Sequence, residues 1–110
     1  ISMDWTATIL AAAQTPAAEG YPLDGIDLLP IIKGTRPEVD RTFFWRINVQ
    51  QAVRKGKWKY YSDGERPWLF DLTFDQREHA DFSKKNPDML KHLTAEFDEW
   101  NKLMLPREEV

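Results

Sequence analysis

Cysteine is absent from this 110-residue chain. Disulfide scaffolds, Cys-ligated zinc and Cys nucleophiles are therefore excluded within it. Long apolar runs are absent as well: none approaches the roughly 20 residues of a membrane-spanning helix, and no signal peptide is legible. No surplus of one charge stands out. The formal net charge is -3, so no global field favours nucleic acid or an anionic membrane. Repeats and low-complexity tracts are missing, and the length suits one small domain with a modest core. The chain opens on Ile1 rather than Met, which is the expectation for a piece of a longer chain or a processed product. Aromatic residues are plentiful. Five tryptophans must be buried or lie on a binding surface.

Around Ala52–Tyr61 the sequence reads as a β-hairpin. Lys55-Gly56 is the expected turn, with Gly56 supplying positive φ. After it Lys57 and Lys59 alternate with Trp58 and Tyr60, the period of a strand with one buried face. A two-residue loop places Val53 opposite Trp58; a three-residue loop with a bulge places Ala52 there. Upstream, residues 41–49 read as a strand, with Phe43, Trp45, Ile47 and Val49 on one face and Phe44, Arg46 and Asn48 on the other. Downstream, Ser62–Pro67 is a turn-rich loop and Trp68–Leu72 a short strand. The sum is about four antiparallel strands.

Helices flank this sheet. Residues 4–13 form one, with Asp4 as N-cap, Pro16 beyond its end, and Trp5, Ile9, Ala12 and Ala13 on one apolar face. Residues 14–24 are loop by composition. Asp27 caps a short turn of Leu28, Leu29, Ile31 and Ile32 that tolerates Pro30, closes at Gly34 and is expected to be well buried. Asn86-Pro87 opens the last helix. Its stripe of Leu90, Leu93, Phe97, Trp100 and Met104 is amphipathic, and Asp98 and Lys102 can pair on its wet side. That stripe is only about two heptads long, so covering a sheet is the better reading than a coiled coil. The fold class is α+β.

The residues hold no catalytic set. Ser2, Ser62 and Ser83 lie in no Gly-x-Ser-x-Gly context, and His79 and His92 offer no nucleophile–base arrangement. His92 follows Asp88 by one helical turn, an ordinary surface pair. Asp71, Asp75, Glu78, His79 and Asp81 invite a metal, but they match neither the calcium-loop order nor a two-His helix, so turn capping is expected. Arg54, Lys55, Lys57 and Lys59 interleave with Trp58, Tyr60 and Tyr61. Alternation sets the lysines opposite Trp58 and Tyr60, which argues against a nucleic-acid platform. Arg46 and Asn48 remain as candidate substrate-binding residues, Arg46 because its guanidinium can grip an anion in a fork. The plain alternative is a solvated edge or an ion pair.

Taken in order, several of these residues resemble the C-terminal end of a sulfatase. Arg54, Gly56, Trp58 and Lys59 fit the hairpin Arg-x-Gly-x-Trp-Lys. Leu69-Phe70-Asp71-Leu72 fits Leu-Tyr-Asp-Leu, and Asp75 with Glu78 fits Asp-Pro-x-Glu. The segment from Asp24-Gly25 to Gly34 is similar to Asp-Gly-x-Ser-Leu-x-Pro-x-Leu-x-Gly, with Asp27 at the serine position. Asp4, Thr8 and Leu10 fit a helix near the end of the large domain, with Ala7 where proline is usual. Further departures are Phe70 for tyrosine, Gln76 for proline and Asp81-Phe82 for Asn-Leu.

The resemblance spans Asp4 to about Leu105 and carries expectations beyond the residues themselves. It implies the alkaline-phosphatase-like superfamily and a parent enzyme, such as an arylsulfatase, that cleaves sulfate esters of a small molecule or glycan. It implies formylglycine made from a Cys/Ser-x-Pro-x-Arg motif and a calcium ion, both upstream. That motif is absent here, so no cofactor is expected in this chain and the chain alone is expected to be inactive. Residues 1–37 would be the tail of the large catalytic domain, and 38–110 a small subdomain bordering the cleft. The upstream domain is the expected partner; the exposed faces of 4–13 and 28–32 would otherwise cover each other, pair in a homodimer or be poorly ordered. Many sulfatases are secreted, periplasmic or lysosomal. The rival readings are a carbohydrate-binding or interaction module, with Trp and Tyr stacking on sugars, and the end of a related phosphonate or phosphodiester hydrolase.

Overall fold

A computed structural model describes residues 1–106 of the chain; the last four positions of the expected 38–110 subdomain lie outside the described residues. The chain divides into two compact units, Ile1–Val39 and the part beginning at Asp40.

In the first unit, α1 (Ser2–Ala12) starts earlier than the sequence suggests. Ile1 takes the N-cap position, and Asp4 lies inside the first turn with 1% of its surface exposed. The reason is a partner far along the chain. Asp4 Oδ1 accepts the Ile26 N–H at 3.0 Å. The Thr8 hydroxyl donates to the Asp4 carbonyl and accepts the Leu28 N–H at 3.0 Å. Gly25 passes so close that a Cβ there would sit 2.1 Å from the Met3 carbonyl oxygen. Two backbones at that distance leave N–H groups away from water, and a carboxylate and a hydroxyl satisfy them. The buried side of α1 is therefore Asp4, Ala7 and Thr8. The expected apolar face lies outside: Trp5 is 58% and Ile9 63% exposed.

The single-turn α2 (Leu29–Ile32) follows. Leu28 rather than the expected Asp27 takes the N-cap position, and Asp27 Oδ1 accepts the Leu29 N–H at 2.9 Å from one residue before it. Gly34 closes the turn at φ +71. Burial falls short of the expectation: Leu28, Leu29 and Ile31 are half-buried and Ile32 is exposed.

The second unit is a four-stranded antiparallel meander in the order β1 (Thr42–Ile47), β2 (Gln50–Lys55), β3 (Trp58–Ser62) and β4 (Pro67–Asp71). One helix, α3 (Pro87–Lys102), packs on it. The β2–β3 register differs from both sequence expectations. The turn is Gly56-Lys57, so Lys55 faces Trp58 and Val53 faces Tyr60. Gly56 alone has positive φ, at +53, as suits glycine in the first central position of a hairpin loop. The shift from the two-residue alternative is two residues, and a slip of two keeps every side chain on its face. Val49 and Asn48 also leave the predicted strand. They form the β1–β2 turn, with Asn48 at φ +49, a conformation asparagine tolerates better than most residues.

Phe44, Val53, Tyr60 and Leu69 stand in one row across the sheet. Val53, Tyr60 and Leu69 meet Leu93 and Phe97 of α3, and all five are essentially fully buried. Phe44 stacks on Trp100 at 5.2 Å, and Phe97 lies 5.5 Å from the same ring. Asn86 and Pro87 open α3 as the sequence predicts. Lys102 pairs with Glu99 at 2.6 Å rather than with Asp98, at a spacing of three residues. Glu99 holds the Lys102 ammonium above its ordinary pKa, with smaller help from Asp98. Met104 lies past the helix end and is 37% exposed.

Candidate functional site

The sheet face opposite α3 is aromatic and lies open around Trp45 and Ile47, while Phe70 on it is buried. Trp45, Ala52, Tyr61 and Trp68 form one cross-strand row on it; Phe43, Arg54, Lys59 and Phe70 form the next. Trp45 is 42% exposed and Ile47 67%. Between these rows runs an open groove of about 620 Å³ walled by Trp45, Ala52, Arg54, Lys59, Tyr61 and Glu78. Tyr61 and Trp68 stack at 5.5 Å. Arg66 lies 4.4 Å over Trp68, and Arg41 lies 4.8 Å over Phe43. Lys59 Nζ pairs with Glu78 at 2.6 Å. The Arg54 guanidinium is exposed and has no hydrogen bond or ion pair among the described residues.

Of the two residues singled out by sequence, Arg46 belongs to the lining of this groove and Asn48 does not. Arg46 points toward α3. Its Nη1 donates to Asn101 Oδ1 at 2.8 Å and its Nη2 to the Leu105 carbonyl, and the guanidinium lies 6.0 Å from the Trp100 ring. It ties β1 to the C-terminal end of the helix. Asn48 belongs to the turn at the end of the same strand. The residues that do converge, Arg54, Lys59 and Tyr61, were legible only as an interleaved basic and aromatic run. Their common face depends on the register.

The acidic segment 71–81 is occupied by backbone. Asp71 is 4% exposed; it pairs with Lys57 at 2.7 Å and accepts the Thr73 N–H at 3.0 Å. The Lys57 bond, joined by the Thr73 N–H, holds its carboxyl below the ordinary pKa although burial works against this. Asp75 accepts the Ala80 N–H at 2.7 Å and is lowered by it and by the His79 N–H. Burial raises Asp81, but the N–H groups of Ser83 and Leu69 outweigh it and the net direction is down. Asp63, at the tip of the β3–β4 loop, is lowered by the Arg66 and Glu65 N–H groups. Such carboxylates staple turns by accepting nearby backbone N–H groups. Among the described residues no group of three His, Cys, Asp or Glu side chains is placed to hold a metal ion.

Ser62 and His92 have local partners. Ser62 accepts the Gly64 N–H at 3.1 Å, and His92 sits against Lys55 and Glu96 at 3.3 and 3.1 Å. Among the described residues no serine is hydrogen-bonded to a histidine, the arrangement that activates a hydroxyl nucleophile. No helix among the described residues is long and apolar enough to cross a membrane.

No family model matches the chain. Solved structures do. Ps i-CgsB, solved in complex with k-i-k-neocarrahexaose, shares 27% identity over 88% of this chain at a TM-score of 0.70. A 6S-sulf protein of Bacteroides thetaiotaomicron, from a core locus for the metabolism of multiple glycosaminoglycans, shares 21% identity over 90% at a TM-score of 0.71. A 2-O GAG sulfatase shares 22% identity over 88% at 0.64. These neighbours are sulfatases. The chain spans 23–24% of their length, as a C-terminal region of a sulfatase would.

Proposed function

We propose that this chain is the C-terminal part of a sulfatase, a sulfuric ester hydrolase whose reacting groups lie in the residues that precede it. One observation carries this reading: nearly the whole chain follows a sulfatase structure, yet the match accounts for about a quarter of that protein. The ordered motifs from Asp24-Gly25 through Leu69–Leu72 support it independently. In this reading residues 1–37 end the catalytic domain, and the sheet with α3 is an accessory subdomain that completes the fold and borders the cleft. Trp5, Ile9 and Ile32, exposed in the first unit, are the side chains the preceding domain would cover. Each such burial is worth about 1.5–3 kcal/mol.

The chain on its own is catalytically silent. Formylglycine and calcium are assigned to the upstream domain: the sequence holds no Cys/Ser-x-Pro-x-Arg motif, and among the described residues no His, Cys, Asp or Glu group is placed to hold a metal ion. The substrate class is a sulfated saccharide. Two neighbours support that choice, one named a 2-O GAG sulfatase and one solved with a neocarrahexaose. The test is the protein extended upstream through a Cys/Ser-x-Pro-x-Arg motif and assayed for sulfate release from sulfated oligosaccharides. Turnover that is lost on deleting the residues from Asp40 onward supports the reading. An extension without that motif and without turnover overturns it.

A further inference from the structure

We propose that the groove on the open sheet face is a subsite for a sulfated saccharide, with Arg54 as the anion-gripping residue. The choice of a sulfated sugar rests on the sulfatase reading; the site itself rests on geometry. Trp45 and Tyr61 stand on either side of Ala52 in one cross-strand row. Their strands are two spacings apart, about 10 Å, and the single methyl of Ala52 leaves a slot between two aromatic walls. Flat apolar faces flanking a slot suit the C–H face of a sugar ring, and the phenolic hydroxyl offers a hydrogen bond at the rim.

The charge pattern supplies the second argument. Arg54 and Lys59 face each other directly across β2 and β3. Like charges in that position oppose folding. Glu78 neutralises Lys59, which leaves Arg54 exposed and unpartnered among the described residues. Arg54 follows Ala52 by two residues on the same face, about 7 Å along the strand. A ring held in the slot therefore carries an equatorial sulfate toward a planar guanidinium whose donors match a tetrahedral oxyanion. An unused cation beside an aromatic slot is complementary to an anionic sugar and not to a neutral one.

Titration of the 110-residue chain with maltohexaose sulfate, unsulfated maltohexaose, inorganic sulfate and a hexaglutamate peptide, followed by amide NMR shifts, tests this. Saturable binding of maltohexaose sulfate is expected, with shifts at Ala52, Arg54, Lys59 and Tyr61. Because a hydrogen-bonded charge carries most of the discrimination, the unsulfated sugar should bind about tenfold or more weakly. Arg54→Gln should reduce the sulfated sugar to the level of the unsulfated one, and Trp45→Leu should weaken both. Equal binding of the two sugars, no binding of either, or indifference to Arg54→Gln overturns the site. Hexaglutamate binding as tightly as maltohexaose sulfate also overturns it, in favour of an acidic protein segment. Binding by this chain together with an upstream-extended protein that releases no sulfate upholds the groove and rejects the sulfatase reading. Turnover by that protein without binding here rejects the groove alone.

Discussion

Phe97 is the side chain through which α3 holds the sheet. It is 1% exposed, 6.5 Å from Tyr60 and 5.5 Å from Trp100. Phe97→Ala removes a ring that both neighbours pack against, and such truncations cost about 3–5 kcal/mol because the cavity closes only partly. At about 0.05–0.15 kcal/mol per residue, the roughly 67 described residues from Asp40 onward are worth about 3–10 kcal/mol in all. The substitution therefore consumes a large share of that stability, or all of it. Urea unfolding read by tryptophan fluorescence reports the change, since Trp45, Trp58, Trp68 and Trp100 all lie in this unit. With a slope of about 1–1.5 kcal/mol per molar, the midpoint should fall by about 2–5 M, or the cooperative transition should vanish. Glu99→Ala, at an exposed position on the same helix, is the control and should stay within about 0.5 kcal/mol. A Phe97→Ala midpoint within about 0.5 M of that control would refute the claim that α3 roofs the sheet.

Asp71→Asn should flatten the acid limb of the stability curve. The Asp71 pKa is depressed in the fold by Lys57, so its contribution is full above the ordinary carboxylate value and is lost as pH falls through the lower folded value. Urea midpoints between pH 6 and 2 should drop less steeply in the variant, while Asp63, Asp75 and Asp81 keep part of the slope. Gly25→Ala would drive a methyl into the Met3 backbone and should abolish hydrogen-exchange protection at the Ile26 and Leu28 amides; protection at the wild-type level would refute the close approach. Arg46→Gln should loosen the end of α3, with faster exchange at Leu103 and Met104, whose N–H groups bond back to Trp100 and Asn101. Unchanged exchange there would mean that Arg46 does not anchor the helix.

Local patterns carried much of the fold into the sequence. The alternation of Trp58 and Tyr60, the stripe from Leu90 to Trp100 and the Asn86-Pro87 start each reflect interactions within one element. The errors fall where the deciding partner is distant. Asp4 reads locally as an N-cap, and only the Ile26 amide explains why it is buried. Arg46 reads as a candidate anion grip or a solvated edge, and its Asn101 partner, 55 residues away, has no local signal. The hairpin register lies two residues from the two-residue-loop expectation because Gly56 takes the first turn position and not the second; the faces are the same, but the Arg54–Lys59 juxtaposition is hidden in the sequence. The groove is therefore not legible in sequence, although Trp45, Ala52, Arg54, Lys59, Tyr61 and Glu78 of its wall each stand out there separately.

Sulfate release from the isolated 110-residue chain, measured by ion chromatography against sulfated oligosaccharides and an aryl sulfate, tests the division of labour most directly. The account predicts none above the uncatalysed background, with or without added calcium, because the sequence lacks the Cys/Ser-x-Pro-x-Arg motif and among the described residues no serine is hydrogen-bonded to a histidine. Saturable sulfate release by this chain alone would contradict it.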